Sequence, residues 1–303
     1  MTTEVHFGWV LNAGPTPGMA AERFLEISRQ QIALVGEYID SLWFTDHLQF
    51  GRSPVLEGWT ALTYLAALYP QYRIGHMVLC QSFRNPALLA KMGATLQYLS
   101  GGRFLLGIGA GWHEEEYRAY NYPFPEPRAR TDQLAETLQI VKALWSEEQV
   151  TFEGNHYRVQ GAYCEPKPEP LPPVIVGGLG TRMLRIVARY ADGWNAAWIR
   201  PEAYRERLAT FEDACRQLGR DPSQIARSWF GRCICRSSRE EADRLQGRGL
   251  LGTPEQIAEQ IQAYLDLGIT TFMLGSWELE DLQTVELLAR QVLPRFRLGT
   301  GAA

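Results

Sequence analysis

The chain has 303 residues, 46% of them hydrophobic, enough to bury a large core, and one domain spanning 1–303 is expected. Its formal charge is −4 without any dense basic run, which argues against a nucleic-acid partner. No apolar stretch is long enough to cross a bilayer and no leader pattern opens the chain, so a cytoplasmic protein without membrane contact is the expectation.

Short β-type runs alternate with longer helical patterns. Val5 to Leu11 reads as a first strand and Ala21 to Gly36 as the helix after it. Ile39 to Thr45 is a second strand, followed by a helix over Gly58 to Tyr69. Arg73 to Leu79 is a third, followed by a helix from Pro86 to Leu99. After a fourth strand, Phe104 to Gly109, the residues Leu134, Leu138, Val141 and Trp145 fall on one face at helical spacing. Gln149 to Tyr163 then alternates about Gly154-Asn155 like a β-hairpin inserted after that fourth helix.

A proline-rich connector, Pro166 to Pro173, leads to a strand at Val174 to Val176 and a helix over 181–191. Strand Gly193 to Trp198, helix Glu202 to Leu218 and strand Ala226 to Cys235 continue the rhythm. Thr253-Pro254-Glu255-Gln256 is a helix start, with a Thr cap, Pro at the first position and Gln at the third. That helix ends at Gly268 and feeds strand Thr270 to Leu274; Leu282, Val285, Leu288 and Val292 share a face of the closing helix. About eight strands and eight helices fit a closed α/β structure, a (β/α)8 TIM barrel with a small hairpin insertion, better than an open doubly wound sheet.

In such barrels the chemistry sits at the carboxyl ends of the strands, which turns the strand list into a candidate list. Asp46 and His47 end the second strand, and histidine is the side chain best suited to exchange a proton near neutral pH. A loop histidine bonded to a neighbouring carbonyl is the alternative. Gly107 to Tyr117 leaves the fourth strand with small residues that open room for a flat ring, and Trp112 as a wall. The three glutamates at 114–116 suit a solvated first helical turn rather than a metal site.

Gly177-Gly178-Leu179-Gly180-Thr181 joins a strand to a helix, where bare backbone and a helix N-terminus suit a phosphate, although such a turn needs glycine in any case. Five scattered cysteines lack the spacing of a zinc cage, and Cys80 reads as a packed thiol without a basic neighbour. Phe7, Trp9, Trp43, Phe50, Trp112, Trp198 and Trp277 are divided between barrel core and pocket wall. Clustered metal-binding carboxylates at strand ends are missing, which disfavours a metal-dependent barrel hydrolase.

Four segments in order carry a resemblance: Leu42-Trp43-Phe44-Thr45-Asp46-His47; Val78 to Pro86; Ser100-Gly101-Gly102-Arg103 through Trp112; and the glycine turn through Tyr190-Ala191-Asp192-Gly193-Trp194-Asn195. Together they resemble the bacterial luciferase-like monooxygenase family, within it the coenzyme F420-dependent oxidoreductases. The resemblance implies a (β/α)8 barrel with F420, or alternatively FMN, at its mouth. It implies a non-proline cis peptide at Met77–Val78 against the ring, with Cys80 in the same wall and Ala110 and Gly111 beside the ring. It also implies a phosphate at Gly177, Gly178, Leu179, Gly180 and Thr181. His47 is then the proton donor or acceptor and Asp46 its polar companion, while Arg52, Arg182 and Arg200 are candidates to meet the glutamate tail of F420.

The implied activity is hydride transfer between cofactor and a small hydrophobic substrate, with no metal and a homodimeric assembly. An FMN-dependent monooxygenase using reduced flavin and O2 and a non-catalytic flavin-binding barrel are the alternatives. The chain departs from the F420-dependent glucose-6-phosphate dehydrogenases in carrying Trp112 where they carry a glutamate, and it lacks evident counterparts of their sugar-phosphate lysines.

Overall fold

The computed structural model describes residues 4–297. Eight parallel strands close on one another: β1 His6–Val10, β2 Ser41–Phe44, β3 Arg73–His76, β4 Phe104–Gly109, β5 Val174–Gly177, β6 Gly193–Ala197, β7 Ala226–Cys235 and β8 Thr271–Gly275. The ring is completed by pairing of β7 with both β6 and β8 (Ala226 beside Gly193, Ser228 beside Thr271) and of β8 with β1. Outside lie α1 Ala21–Val35, α2 Gly58–Leu68, α3 Pro86–Leu99, α4 Pro127–Ser146, α5 Thr181–Tyr190, α6 Pro201–Gln217, α7 Pro254–Leu265 and α8 Leu282–Leu287. The chain is a (β/α)8 barrel, as its alternation of elements predicts.

Strand periodicity divides the core in two. Along β4, Phe104, Leu106 and Ile108 face the helices and join the large outer core. Leu105 points inward, to a layer shared with Val10, Trp43, Met77, Phe230 and Met273. Trp43 fills the barrel's middle because two glycines let it: a Cβ on Gly8 or Gly75 would lie 2.4 Å from the indole. Its Nε1 donates to Ser41 Oγ at 2.8 Å, so the buried indole N–H is satisfied.

The predicted hairpin is present as Val150–Glu153 against Arg158–Ala162. It is fastened to α4 by Glu136, whose carboxylate accepts the amides of Asn155, His156 and Tyr157 at 2.8–2.9 Å. The Thr253 cap is also present, with Gln256 Oε1 accepting the Thr253 amide at 2.8 Å. Two strands differ from expectation. The third breaks after His76 and resumes only at Leu79–Cys80, with Met77 and Val78 standing out between. A short strand, Leu250–Gly252, extends the sheet beside Cys233–Cys235; three residues are too few to show alternation. No helix among the described residues is long and apolar enough to cross a membrane.

Candidate active site

The carboxyl ends of all eight strands open on one cavity of about 1380 Å³. Its floor is the inward layer around Met77 and Phe230. Of the strand-end aromatics, Phe7 and Trp9 lie in the core under the helices and Trp43 inside the barrel. Phe50, Trp112, Trp198 and Trp277 line the cavity.

One wall is the interruption of the third strand. The Met77–Val78 peptide is cis, as the family resemblance implies. Val78 is seated between two strand-end glycines. A Cβ on Gly109 would lie 2.8 Å from one Val78 methyl, and a Cβ on Gly177 would lie 3.0 Å from the other. Gly111 makes a further close approach at φ +77°, where a Cβ would lie 1.9 Å from the Tyr117 hydroxyl. The small residues after β4 thus make room chiefly for the protein's own groups, and Gly109, Ala110 and Gly111 still line the cavity beside Val78.

His47 and Asp46 both line the cavity but are not partners of each other. His47 Nδ1 lies 3.0 Å from Glu116 Oε1, and the same carboxylate accepts the Leu48 amide at 2.8 Å. Glu116 is 2% exposed, so the reading of residues 114–116 as one solvated turn holds for Glu114 and Glu115 but not for it. Asp46 instead forms a bidentate pair with Arg84, at 2.9 and 3.0 Å, and accepts the Cys80 amide at 2.9 Å. The expected companionship of Asp46 with His47 is therefore replaced by a glutamate one helical turn beyond Trp112. The Nδ1 contact with Glu116 fixes the orientation of the ring.

Cys80 is a packed thiol. Its Sγ lies 2.8 Å from Tyr117 Oη, and burial pushes it up to about 12, so no thiolate forms near neutral pH.

The glycine turn straddles the rim. Gly177 and Gly178 line the cavity, whereas Leu179, Gly180 and Thr181 lie just outside its lining. The Gly178 amide donates to the Asn195 carbonyl at 3.2 Å, and no side chain caps the ten-residue α5. Its N-terminus is open to an anion. Of the arginines considered for an acidic tail, Arg182 is paired with Asp132, Arg52 is exposed on the loop after β2, and Arg200 lines a separate cavity of about 670 Å³.

Three further groups had no role assigned from sequence, although Asn12 and Asn195 lie in strand-end stretches that were candidates. Asn12 Oδ1, Thr45 Oγ1 and Asn195 Oδ1 are buried, lack hydrogen-bond partners, and belong to residues lining the cavity. Buried polar atoms are usually satisfied, so three orphans around one slot suit a polar-edged ligand. Apolar walls, a close-approach turn and unsatisfied polar atoms together fit a phosphorylated flat ring. Their positions at strand ends were the available signal.

Behind the wall, His76 is fully buried and stacks on Trp59 at 5.4 Å, and neither ring nitrogen makes a hydrogen bond of good geometry. Burial pushes its imidazole down from 6.5 to about 4. The folded value lies below the unfolded one, so this stability is present above pH 6.5 and is lost as pH falls towards 4, at about 1.4 kcal/mol per unit. His76→Phe keeps the stack and removes the titration. Urea denaturation should show the variant gaining about 2 kcal/mol on the wild type between pH 7 and pH 5. Parallel loss in both proteins would refute the assignment.

Residues 6–248 match the family model described as luciferase-like monooxygenase. Among curated relatives, an F420-dependent glucose-6-phosphate dehydrogenase of Kineococcus radiotolerans is 36% identical over 183 residues, 58% of this chain and 53% of that protein. Another of that name, from Segniliparus rotundus, is 27% identical over 322 residues, 92% of this chain and 96% of that protein. The chain thus spans about half of the first and nearly all of the second. Among solved structures, an F420-dependent secondary alcohol dehydrogenase in complex with an F420-acetone adduct superposes with a TM-score of 0.85 at 19% identity. That match covers 97% of this chain and 99% of the other. At that identity it speaks for the fold.

Proposed function

This chain belongs to the luciferase-like monooxygenase family, and from that premise we propose that it is an F420-dependent oxidoreductase acting on a small, uncharged, hydrophobic substrate. The observation that carries the reading is a glycine-edged slot, walled by Val78, with a histidine held by a buried glutamate at its margin. The F420 dependence named for its relatives supports the choice of cofactor. When bound, the deazaflavin supplies the carbon that accepts or gives a hydride. Val78, Ala110 and Gly111 would flank the ring, and Gly177, Gly178 and the N-terminus of α5 would meet the phosphate. Asn12, Thr45 and Asn195 would take the ring's polar edge. His47, oriented by Glu116, takes the substrate hydroxyl proton at Nε2 or returns it to a carbonyl.

Charge argues the substrate class. Among the described residues lining the cavity, Arg236 is the one lysine or arginine, and it is tied to Asp281 at 2.9 Å. Asp46, Glu116, Glu278, Glu280 and Asp281 also line it; Asp46 is paired with Arg84 and Asp281 with Arg236, so the remaining acids outnumber the free cations. Trp198, Phe230 and Trp277 form an apolar corner, with ring centroids 5.1–5.9 Å apart. A phosphorylated sugar meets no free cation there. Anaerobic assays following the F420 absorption band should show kcat/KM for neutral secondary alcohols at least about 100-fold above that for glucose 6-phosphate. The reverse preference would overturn the substrate reading, and, in a separate aerobic assay, oxygenation supported by reduced FMN and O2 without F420 would overturn the cofactor reading.

A homodimer and a cytoplasmic setting belong to the same proposal. Tyr64 and Leu68 on α2, with Leu88, Tyr98 and Leu99 on α3, are exposed apolar residues that a second copy of the chain would cover. The five cysteines are all buried and unpaired, which suits a reducing compartment.

A further inference from the structure

Asp46 follows the second strand beside His47, yet every contact of its carboxylate leads into the barrel wall. Oδ1 accepts Arg84 Nη2 at 3.0 Å; Oδ2 accepts Arg84 Nη1 and the Cys80 amide, each at 2.9 Å. The carboxylate side chain is fully buried and Arg84 nearly so. Arg84 Nη2 also reaches Glu57, whose carboxylate caps α2 by accepting the amides of Trp59 and Thr60. One guanidinium therefore ties together the end of β2, the start of α2 and the strand segment just past Val78.

That segment is where the wall is set. Leu79 and Cys80 resume pairing with β4, opposite Ile108 and Gly109, so the Cys80 backbone is held by β4 on one side and by Asp46 on the other. Between His76 and this double anchor, Met77 keeps one bond to β2, its amide donating to the Phe44 carbonyl at 2.8 Å, and Val78 has no ladder partner. Val78 has little slack, because its methyls already crowd Gly109 and Gly177.

We infer that Arg84 and Asp46 are positioning residues for the cofactor wall: the bidentate pair fixes the Cys80 amide and, through it, the pose of Met77 and Val78 against the ring. This rests on the cofactor reading above. Asp46 acts here through the backbone and not on the reacting atoms. Only a planar fork spans both Asp46 oxygens and Glu57 together; a lysine, a point charge on a flexible stem, keeps the charge and loses the geometry.

The test is a fluorescence titration of F420 against wild type, Arg84→Lys and a control, Arg103→Lys. Arg103 clamps the carbonyls of Ala66, Tyr69 and Tyr72 at the start of β4, away from the cavity. Arg84→Lys should raise Kd about tenfold or more, while Arg103→Lys should lower the melting temperature and leave Kd within about twofold. Asp46→Asn should raise Kd and keep the pH–rate profile of the wild type. Unchanged Kd in Arg84→Lys, equal weakening in Arg103→Lys, or loss of a limb from the pH profile of Asp46→Asn each overturns the inference while leaving the cofactor reading standing. A wild-type chain that binds neither F420 nor FMN overturns both.

Discussion

His47→Ala is expected to lower kcat by roughly 10²- to 10⁴-fold at saturating F420, the usual worth of a positioned proton-transfer group. Cofactor affinity should change little, because His47 sits at the margin of the slot while the wall is built from Val78, Gly109 and Gly177. The proposed role rests on one contact: Nδ1 faces a buried carboxylate at 3.0 Å, which fixes the ring's orientation and would leave Nε2 for the substrate. Truncation also leaves a space beside Phe50, whose ring centroid is 4.4 Å from that of His47, large enough for free imidazole. Added imidazole should therefore restore part of the rate. Steady-state turnover with a neutral alcohol checks this; a loss below about fivefold, or no response to imidazole, contradicts the assignment.

Gly107→Ala should cost roughly 3 kcal/mol or more of folding stability. Its new Cβ would lie 2.0 Å from the His76 carbonyl oxygen and 3.1 Å from the carbonyl carbon, and both are backbone of the neighbouring strand. A side chain could rotate aside; a strand held by β2 and β4 cannot. Gly180→Ala provides the contrast, because nothing lies within 4 Å of its Cβ and its φ is −70°. Urea midpoints of the two variants should differ widely, with Gly180→Ala close to wild type. A Gly107→Ala protein within about 1 kcal/mol of wild type would mean that β3 and β4 adjust more freely than their pairing indicates.

The barrel was legible because its strands are apolar and short and its helices carry one-sided stripes, signals that survive without tertiary knowledge. The break after His76 was not legible in the residue pattern itself; only the family resemblance implied the cis peptide at Met77–Val78. Arg73 to Leu79 reads as one continuous strand, and what interrupts it is a set of distant partners: the Asp46 carboxylate at the Cys80 amide, and the Val78 seat between Gly109 and Gly177. For the same reason Arg84 passed unnoticed; its partner lies 38 residues away, just past the end of β2.

Glu116 was missed differently. Three acids in a row resemble a solvated helix start, and two of them are exposed; the third turns inward beside the fully buried Tyr117. That tyrosine was the readable sign that this face of the turn meets the core. His47 was singled out because strand-end position and residue type coincide, and it does line the cavity, whereas its partner is set by folding. The glycines in and just after β4 announced close approaches, but the groups that approach, the His76 carbonyl, Val78 and Tyr117, are known only from packing.

The most direct measurement is equilibrium binding of F420 and of FMN to the unmodified chain, followed by fluorescence in parallel titrations. Saturable F420 binding at one site per chain, clearly tighter than FMN and weakened when Gly177→Ala crowds Val78, is the expected result. Tight FMN binding with none for F420, or F420 binding indifferent to Gly177→Ala, would contradict a slot built around Val78 for a deazaflavin.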